Sequence, residues 1–138
     1  MFNRRRNHTF RSESGQAAVE FALVVPVLLL LLLGIIQGGI VFHNYLTVTD
    51  AARAAARQAI EARVSGITKD DVQQAAWDAA PDLNHANLGV VTNDPDSPDF
   101  SQGGTQVVVT VTYPYSINLL GMVVASGNLT SQMTGRLE

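Results

Sequence analysis

The sequence predicts an α+β protein in which a long N-terminal helix precedes a short helix and a small antiparallel sheet of about three strands. Three observations predict this class. The sixteen residues from Phe21 to Ile36 contain no charged or strongly polar side chain. Apolar residues then recur at spacings of three and four, which indicates that the helix continues. Beyond Pro81 the pattern changes to alternation, which is typical of strands.

The apolar run predicts a transmembrane helix over residues 16–42. About twenty residues at a rise of roughly 1.5 Å each cross the hydrocarbon core of a bilayer. A core helix of a soluble domain would need a polar face, which this run lacks. Gly34 and Gly38 have the spacing that allows two helices to pack closely, although glycine is also common in membrane helices in general.

Charge is divided unevenly along the chain. Residues 1–15 carry a net charge of +3 and residues 43–138 a net charge of −5. Arginine beside a span marks the cytoplasmic side, so we expect a cytoplasmic N-terminus and an extracytoplasmic C-terminal part. The arginines could instead bind nucleic acid, but next to a span we expect no nucleic-acid partner.

A cleaved secretory signal is the main rival interpretation of this segment. Its apolar region would run for about 7–15 residues and end at a small-x-small site. The run here is longer. The nearest cluster of small residues, Ala51 to Ala56, lies far beyond it and contains Arg53.

Residues 43–65 are predicted to continue the helix as an amphipathic segment that ends at Ser65-Gly66. Its polar side has the spacing for the ion pairs Asp50–Arg53 and Arg57–Glu61. Its apolar face consists of Tyr45, Val48, Ala52, Ala55, Ala59 and Ala62.

Residues 66–138 are predicted to form a small extracytoplasmic α+β domain. Thr68 is the expected N-cap of a short helix, with acidic residues in the first turn. The apolar face of that helix consists of Val72, Ala75, Ala76 and Ala79.

Three strands follow in the prediction. They are 88–92, 105–115 and a final strand that starts at Gly127. The apolar stretch between the last two, Ile117 to Val124, is interpreted as a loop packed on the sheet. The inward-facing residues are expected to be Val107, Val109, Val111 and Tyr113 on the central strand, and Leu129, Met133 and Leu137 on the last.

No pattern of catalytic residues is present, so we expect a protein that is not an enzyme and needs no cofactor. The chain has no cysteine, and its three histidines, His8, His43 and His85, are scattered. Asp94, Asp96 and Asp99 are weak candidates for calcium ligands, because they lack the glycine and the closing glutamate of an EF-hand loop. A solvated turn is the commoner role for such a segment.

Gly15 followed by Glu20, Phe21 and a span resembles a type IV prepilin-type signal. The resemblance implies that residues 1–15 are a leader, which a membrane prepilin peptidase removes on the cytoplasmic side. Cleavage between Gly15 and Gln16 would leave the apolar helix in the mature protein, with the Glu20 carboxylate at its fifth position. Glu20 and Phe21 would then act in assembly.

Over residues 15–57 the chain more closely resembles the TadE-like pseudopilins of tight-adherence (Tad, Flp-type) pilus systems. The residues that carry the resemblance are Ala17 to Leu23, Pro26, the leucine run, Gly34, Ala51-Ala52-Arg53 and Ala56-Arg57. The chain departs from the family pattern at Gln37-Gly38-Gly39, where an acidic and an aromatic residue are expected before glycine.

The resemblance implies a minor pilin or pseudopilin that acts in pilus assembly and surface adherence. Its partners would be the membrane, other pilins and pseudopilins of the same system, the prepilin peptidase and the pilus assembly machinery. A single-pass membrane-anchored extracytoplasmic binding module is the alternative. The two differ in one step, because only a filament subunit needs cleavage after Gly15.

Overall fold

The computed structural model describes residues 13–65, 67–92 and 106–136. The elements in chain order are the helix α1 (Glu13–Ser65), the helix α2 (Lys69–Asp78), a 3-10 turn (His85–Asn87) and the strands β1 (Gly89–Thr92), β2 (Gln106–Leu119) and β3 (Met122–Arg136). They confirm the α+β class, with one long helix, one short helix and a three-stranded antiparallel sheet. The chain divides into two compact units, residues 1–36 and residues 37–138.

In the first unit, α1 is helical without a break through Pro26. The described side chains from position 15 to 36 are exposed, except for the half-buried Val25 and Leu33. The described apolar side chains of this unit are therefore almost all exposed.

In the second unit, α1 contributes an alanine-rich face to the core. The buried residues of this face are Val48, Ala51, Ala52, Ala55, Ala56 and Ala59. The predicted face is confirmed for Val48, Ala52, Ala55 and Ala59 and is wrong for Tyr45, which is 44 % exposed. Ala62 lies outside the residues whose side chains are described. The face is wider than predicted because methyl groups let the sheet approach the helix over neighbouring positions.

The sheet has the order β1-β2-β3, with both pairings antiparallel. The alternation predicted for β2 is confirmed, because Val107, Val109 and Val111 are buried and Tyr113 packs against them half-buried. On β3, Leu129 is buried and Met133 packs against the same core, whereas Leu137 lies outside the described residues. The remaining core residues are Val72, Ala76, Ala80, Leu83 and Leu88.

The stretch Ile117 to Val124 is not a loop packed on the sheet, and this prediction is wrong. It forms the end of the β2–β3 hairpin, and β3 already begins at Met122 rather than at Gly127. The two turn residues, Leu120 and Gly121, have φ values of 51° and 83°. Positive φ at both positions is the geometry of a type I′ turn, whose twist matches that of the flanking strands.

The N-terminus of α2 is capped as predicted. The Thr68 backbone N–H donates to Asp71 Oδ2 at 2.7 Å, and the Asp71 N–H donates to Thr68 Oγ1 at 3.4 Å. These two bonds form a capping box, which satisfies two amide groups that a helix start leaves free. The backbone bond from Thr68 and then the bond from its hydroxyl hold the pKa of Asp71 below its ordinary value.

The ion pairs described on the surface of the second unit are exposed. The predicted pairs are confirmed, with Arg53 Nη1 at 2.9 Å from Asp50 Oδ1 and Arg57 Nε at 3.4 Å from Glu61 Oε1. Exposed pairs of this kind contribute little to stability. The single tryptophan, Trp77, stacks on His85 with the ring centres 5.4 Å apart.

Candidate functional site

The first turns of α1 place the predicted processing residues next to one another. Gln16 and Glu20 are four residues apart and lie on one side of the helix. Gln16 Nε2 donates a hydrogen bond to Glu20 Oε1 at 3.1 Å. The carboxylate at the start of the apolar run therefore has a donor from the residue predicted to become the new N-terminus. The side chain of Phe21 is 70 % exposed.

Gly15 is not required by the packing of the chain. A Cβ atom built on Gly15 meets no atom within 4 Å, and the same is true of Gly34 and Gly38. Glycine is usually demanded by a left-handed backbone or by a close approach. Neither applies at these three helical positions, so a requirement for glycine at any of them would have to come from a molecule that binds there.

The apolar surface of α1 has the extent of a membrane span. Within Gly15–Glu61, the most apolar stretch of eighteen residues has a mean hydropathy of 2.9, and none of it is buried. The long apolar helix of a soluble protein would be mostly buried in its own core. Exposure of this much leucine, valine and isoleucine instead fits a lipid surrounding.

The candidate metal ligands Asp94, Asp96 and Asp99 lie outside the described residues, as does His8. In the ranges that the structure describes, no group of three or more His, Asp or Glu residues is placed to hold a metal ion. His43 Nε2 lies 3.9 Å from Asp82 Oδ2, and both side chains are exposed. The other histidine, His85, stacks on Trp77.

Within the described residues, one apolar helix near the N-terminus is long enough to cross a membrane, and a small α+β unit follows it. These features fit a single-pass membrane protein. Residues 15–57 match the family model described as TadE-like protein, which confirms the predicted resemblance. Over this segment the chain is thus similar to TadE-like proteins. The match begins at Gly15 and ends at Arg57, before α2 and the sheet. No curated protein and no solved structure matches the chain.

Two features of the second unit were not predicted from the sequence. The first is the close approach of Gly135 on β3 to Ile60 on α1, where an added Cβ would lie 2.6 Å from Ile60 Cγ1. This contact joins two segments that are far apart in the sequence, so no local sequence pattern indicates it. The second is the exposed apolar tip of the β2–β3 hairpin. Its signal was present in the sequence, since an apolar run without turn-forming polar residues can be a solvent-facing tip as well as a covered loop.

Proposed function

We propose that the chain is a minor pilin or pseudopilin of a Tad-type pilus, cut by a prepilin peptidase between Gly15 and Gln16 and acting in pilus assembly and adherence. The observation that carries the proposal is the family match over residues 15–57, which begins at the glycine where cleavage is expected. The role is structural rather than catalytic. The apolar helix stays with the mature protein and is the part that packs against other subunits.

The contact between Gln16 and Glu20 supports a role of this carboxylate in assembly. Cleavage would create a charged amine on Gln16, four residues and therefore roughly 6 Å along the helix from Glu20. A carboxylate at the centre of a bilayer costs about 2.5–3.5 kcal/mol on insertion scales. Pairing with an amine, of the same chain or of the next subunit, offsets that cost. Pairing between subunits would also fix the axial register of neighbouring helices.

The charge distribution supports an orientation. With a net charge of +3 on residues 1–15 and of −5 on residues 43–138, the N-terminus would be cytoplasmic and the α+β domain extracytoplasmic. Gly15 then lies on the cytoplasmic side, where a prepilin peptidase acts.

The experiment that tests this function compares Gly15→Val with Gly34→Val in the native host. Both glycines have open space where a Cβ would lie, so neither substitution clashes within the chain. Gly15→Val should leave the full-length precursor, because the branched side chain blocks the peptidase pocket. Gly34→Val should be cut like the wild type.

Equal processing of both variants, or no processing of the wild type, would contradict the proposal. A wild type that is never cut would favour the alternative, a membrane-anchored extracytoplasmic binding module. The α+β unit of such a module would recognise a ligand, and the helix would only anchor that unit to the membrane.

A further inference from the structure

The hydrogen bond between Gln16 and Glu20 bears on the chemical form of the N-terminus that cleavage would create. Gln16 Nε2 donates to Glu20 Oε1 at 3.1 Å, one helical turn further along α1. Neither residue belongs to the segment 1–15 that a prepilin peptidase would remove. The same contact is therefore available to a mature chain that begins at Gln16.

A glutamine at the N-terminus of a chain can close on its own amine. The lone pair of the uncharged α-amine attacks the side-chain carbon Cδ, and a bond forms between that nitrogen and Cδ. The bond between Cδ and Nε2 then breaks, a proton passes from the amine to Nε2, and ammonia leaves. The product is the lactam pyroglutamate, which carries no positive charge. The reaction needs only an uncharged amine and a side chain folded back onto it.

The position of the Gln16 side chain opposes this closure. To react, Cδ has to fold back to the backbone nitrogen of its own residue, at the N-terminal end of the helix. In the structure the amide group of the side chain instead contacts Glu20, roughly 6 Å further along the helix axis. Closure therefore requires that the bond to Glu20 break first, and hydrogen bonds to an ionised acceptor are the stronger kind.

The charge of Glu20 acts in the same direction. The free N–H groups at a helix start form the positive end of the helix dipole, which disfavours a charged amine there. A carboxylate about 6 Å away favours the charged form of that amine, and a protonated amine has no lone pair with which to attack Cδ. An ionised carboxylate also has no proton to give to the departing nitrogen. Each of these effects slows the closure.

We infer that Glu20 is a positioning residue that keeps Gln16 of the mature chain in its open, charged form and prevents its conversion to pyroglutamate. Because only cleavage gives Gln16 a free amine, this role rests on the proposed function. A cyclised N-terminus would have no positive charge to pair with a carboxylate of the same or the next subunit. No other residue from Gln16 to Phe42 is charged, so no neighbour in this segment replaces Glu20.

The test follows the mature protein, extracted from its native membrane into detergent, during incubation at about pH 8, where an α-amine is partly uncharged. Intact mass measures the fraction of chains that have lost one ammonia, and fragmentation of the N-terminal peptide assigns the loss to Gln16. Glu20→Ala removes the hydrogen-bond acceptor and the charge, whereas Glu20→Gln removes only the charge.

Two further variants are matched controls. Glu20→Asp keeps both the acceptor and the charge. Elsewhere in this chain a glutamine reaches an aspartate four residues on, since Gln74 Nε2 donates to Asp78 Oδ1 at 2.8 Å. Val19→Ala changes the neighbouring residue, which has no polar group and is 61 % exposed. Both variants should form pyroglutamate at the rate of the wild type.

Glu20→Ala should form pyroglutamate at least about threefold faster than the wild type, with Glu20→Gln in between. Equal rates in these three proteins would overturn the role of Glu20, as would a wild type that is already cyclised when extracted. If the peptidase does not cut Glu20→Ala, the comparison of Glu20→Gln with Glu20→Asp decides, and equal rates in that pair would also overturn the role. A wild type that keeps residues 1–15 would contradict the proposed function and this role with it, whereas a wild type that is cut and cyclised would contradict this role alone.

Discussion

The contact between Gly135 and Ile60 gives the most specific stability prediction. A Cβ at position 135 would lie 2.6 Å from Ile60 Cγ1 and closer still to Cδ1, whereas carbon atoms pack best at about 3.5–4.0 Å. Gly135→Ala therefore forces the half-buried Ile60 side chain to move by roughly 1 Å or more. Overpacking of this kind costs about 1–3 kcal/mol. Replacing glycine in a strand returns roughly 0.5–1 kcal/mol, so the expected net loss is at most about 2.5 kcal/mol.

The effect of Gly135→Ala on the free energy of unfolding should change sign once the Ile60 side chain is truncated. Ile60→Ala removes both atoms that the new Cβ would meet. In that background Gly135→Ala should be neutral or should stabilise the domain by about 0.5–1 kcal/mol, because only the strand preference of alanine is left. Gly127→Ala is the control on the same strand. Its Cβ would lie 3.1 Å from the Tyr115 ring edge, which needs a much smaller adjustment.

Denaturant unfolding of the full chain in detergent micelles measures these effects, followed by the emission of Trp77. This residue is the only tryptophan and lies on α2, so its signal reports the second unit rather than the apolar helix. The midpoint and slope give the free energy of unfolding of each variant. If Gly135→Ala costs the same with Ile60 as with Ala at position 60, the packing described for this contact is wrong.

Three further predictions concern other parts of the chain. Because the pKa of Asp71 is lowered in the folded state, its bonds with Thr68 stabilise the domain above its ordinary pKa of 3.8 and lose this effect as the pH falls through the folded pKa. The wild type should therefore exceed Asp71→Asn in unfolding midpoint at pH 6, with the difference shrinking towards pH 2; a constant difference would contradict the capping account. Protease added to intact spheroplasts should digest residues 43–138, and protection of that part would overturn the orientation. Glu20→Gln, which keeps the size and removes the charge, should leave insertion and processing intact but reduce surface pili and adherence; normal piliation of this variant would remove the proposed role of the carboxylate.

The sequence predicted much of the fold because strong local signals carry it. The uncharged run from Phe21 to Ile36, the Thr68–Asp71 cap and the valine alternation on β2 each specify one structure through short-range chemistry. The two helices, the number of strands and the antiparallel pairing followed from these signals.

The errors arose where local chemistry is ambiguous. The turn at Leu120-Gly121 lacks the polar residues that usually mark a type I′ turn, so the hairpin end resembled a covered loop. Alanine gives a weak hydrophobic signal, and the burial of Ala51 and Ala56 was therefore not predicted. The approach of Gly135 to Ile60 depends on tertiary packing that no local pattern encodes.

The candidate site was predicted from a resemblance rather than from packing. Gly15, Gln16 and Glu20 all lie in the first turns of α1, which begins at Glu13 and so includes Gly15 of the predicted leader, and the structure adds the hydrogen bond from Gln16 to Glu20. The function proposed for them concerns a peptidase and neighbouring subunits, so only an experiment with those partners tests it.

The most direct test of the pilin account is the intact mass, with N-terminal sequencing, of the protein extracted from its native membrane. The account predicts a mature chain that begins at Gln16 and has lost residues 1–15, with the apolar helix retained. A chain that keeps Met1, or one that begins beyond Phe42, would contradict it.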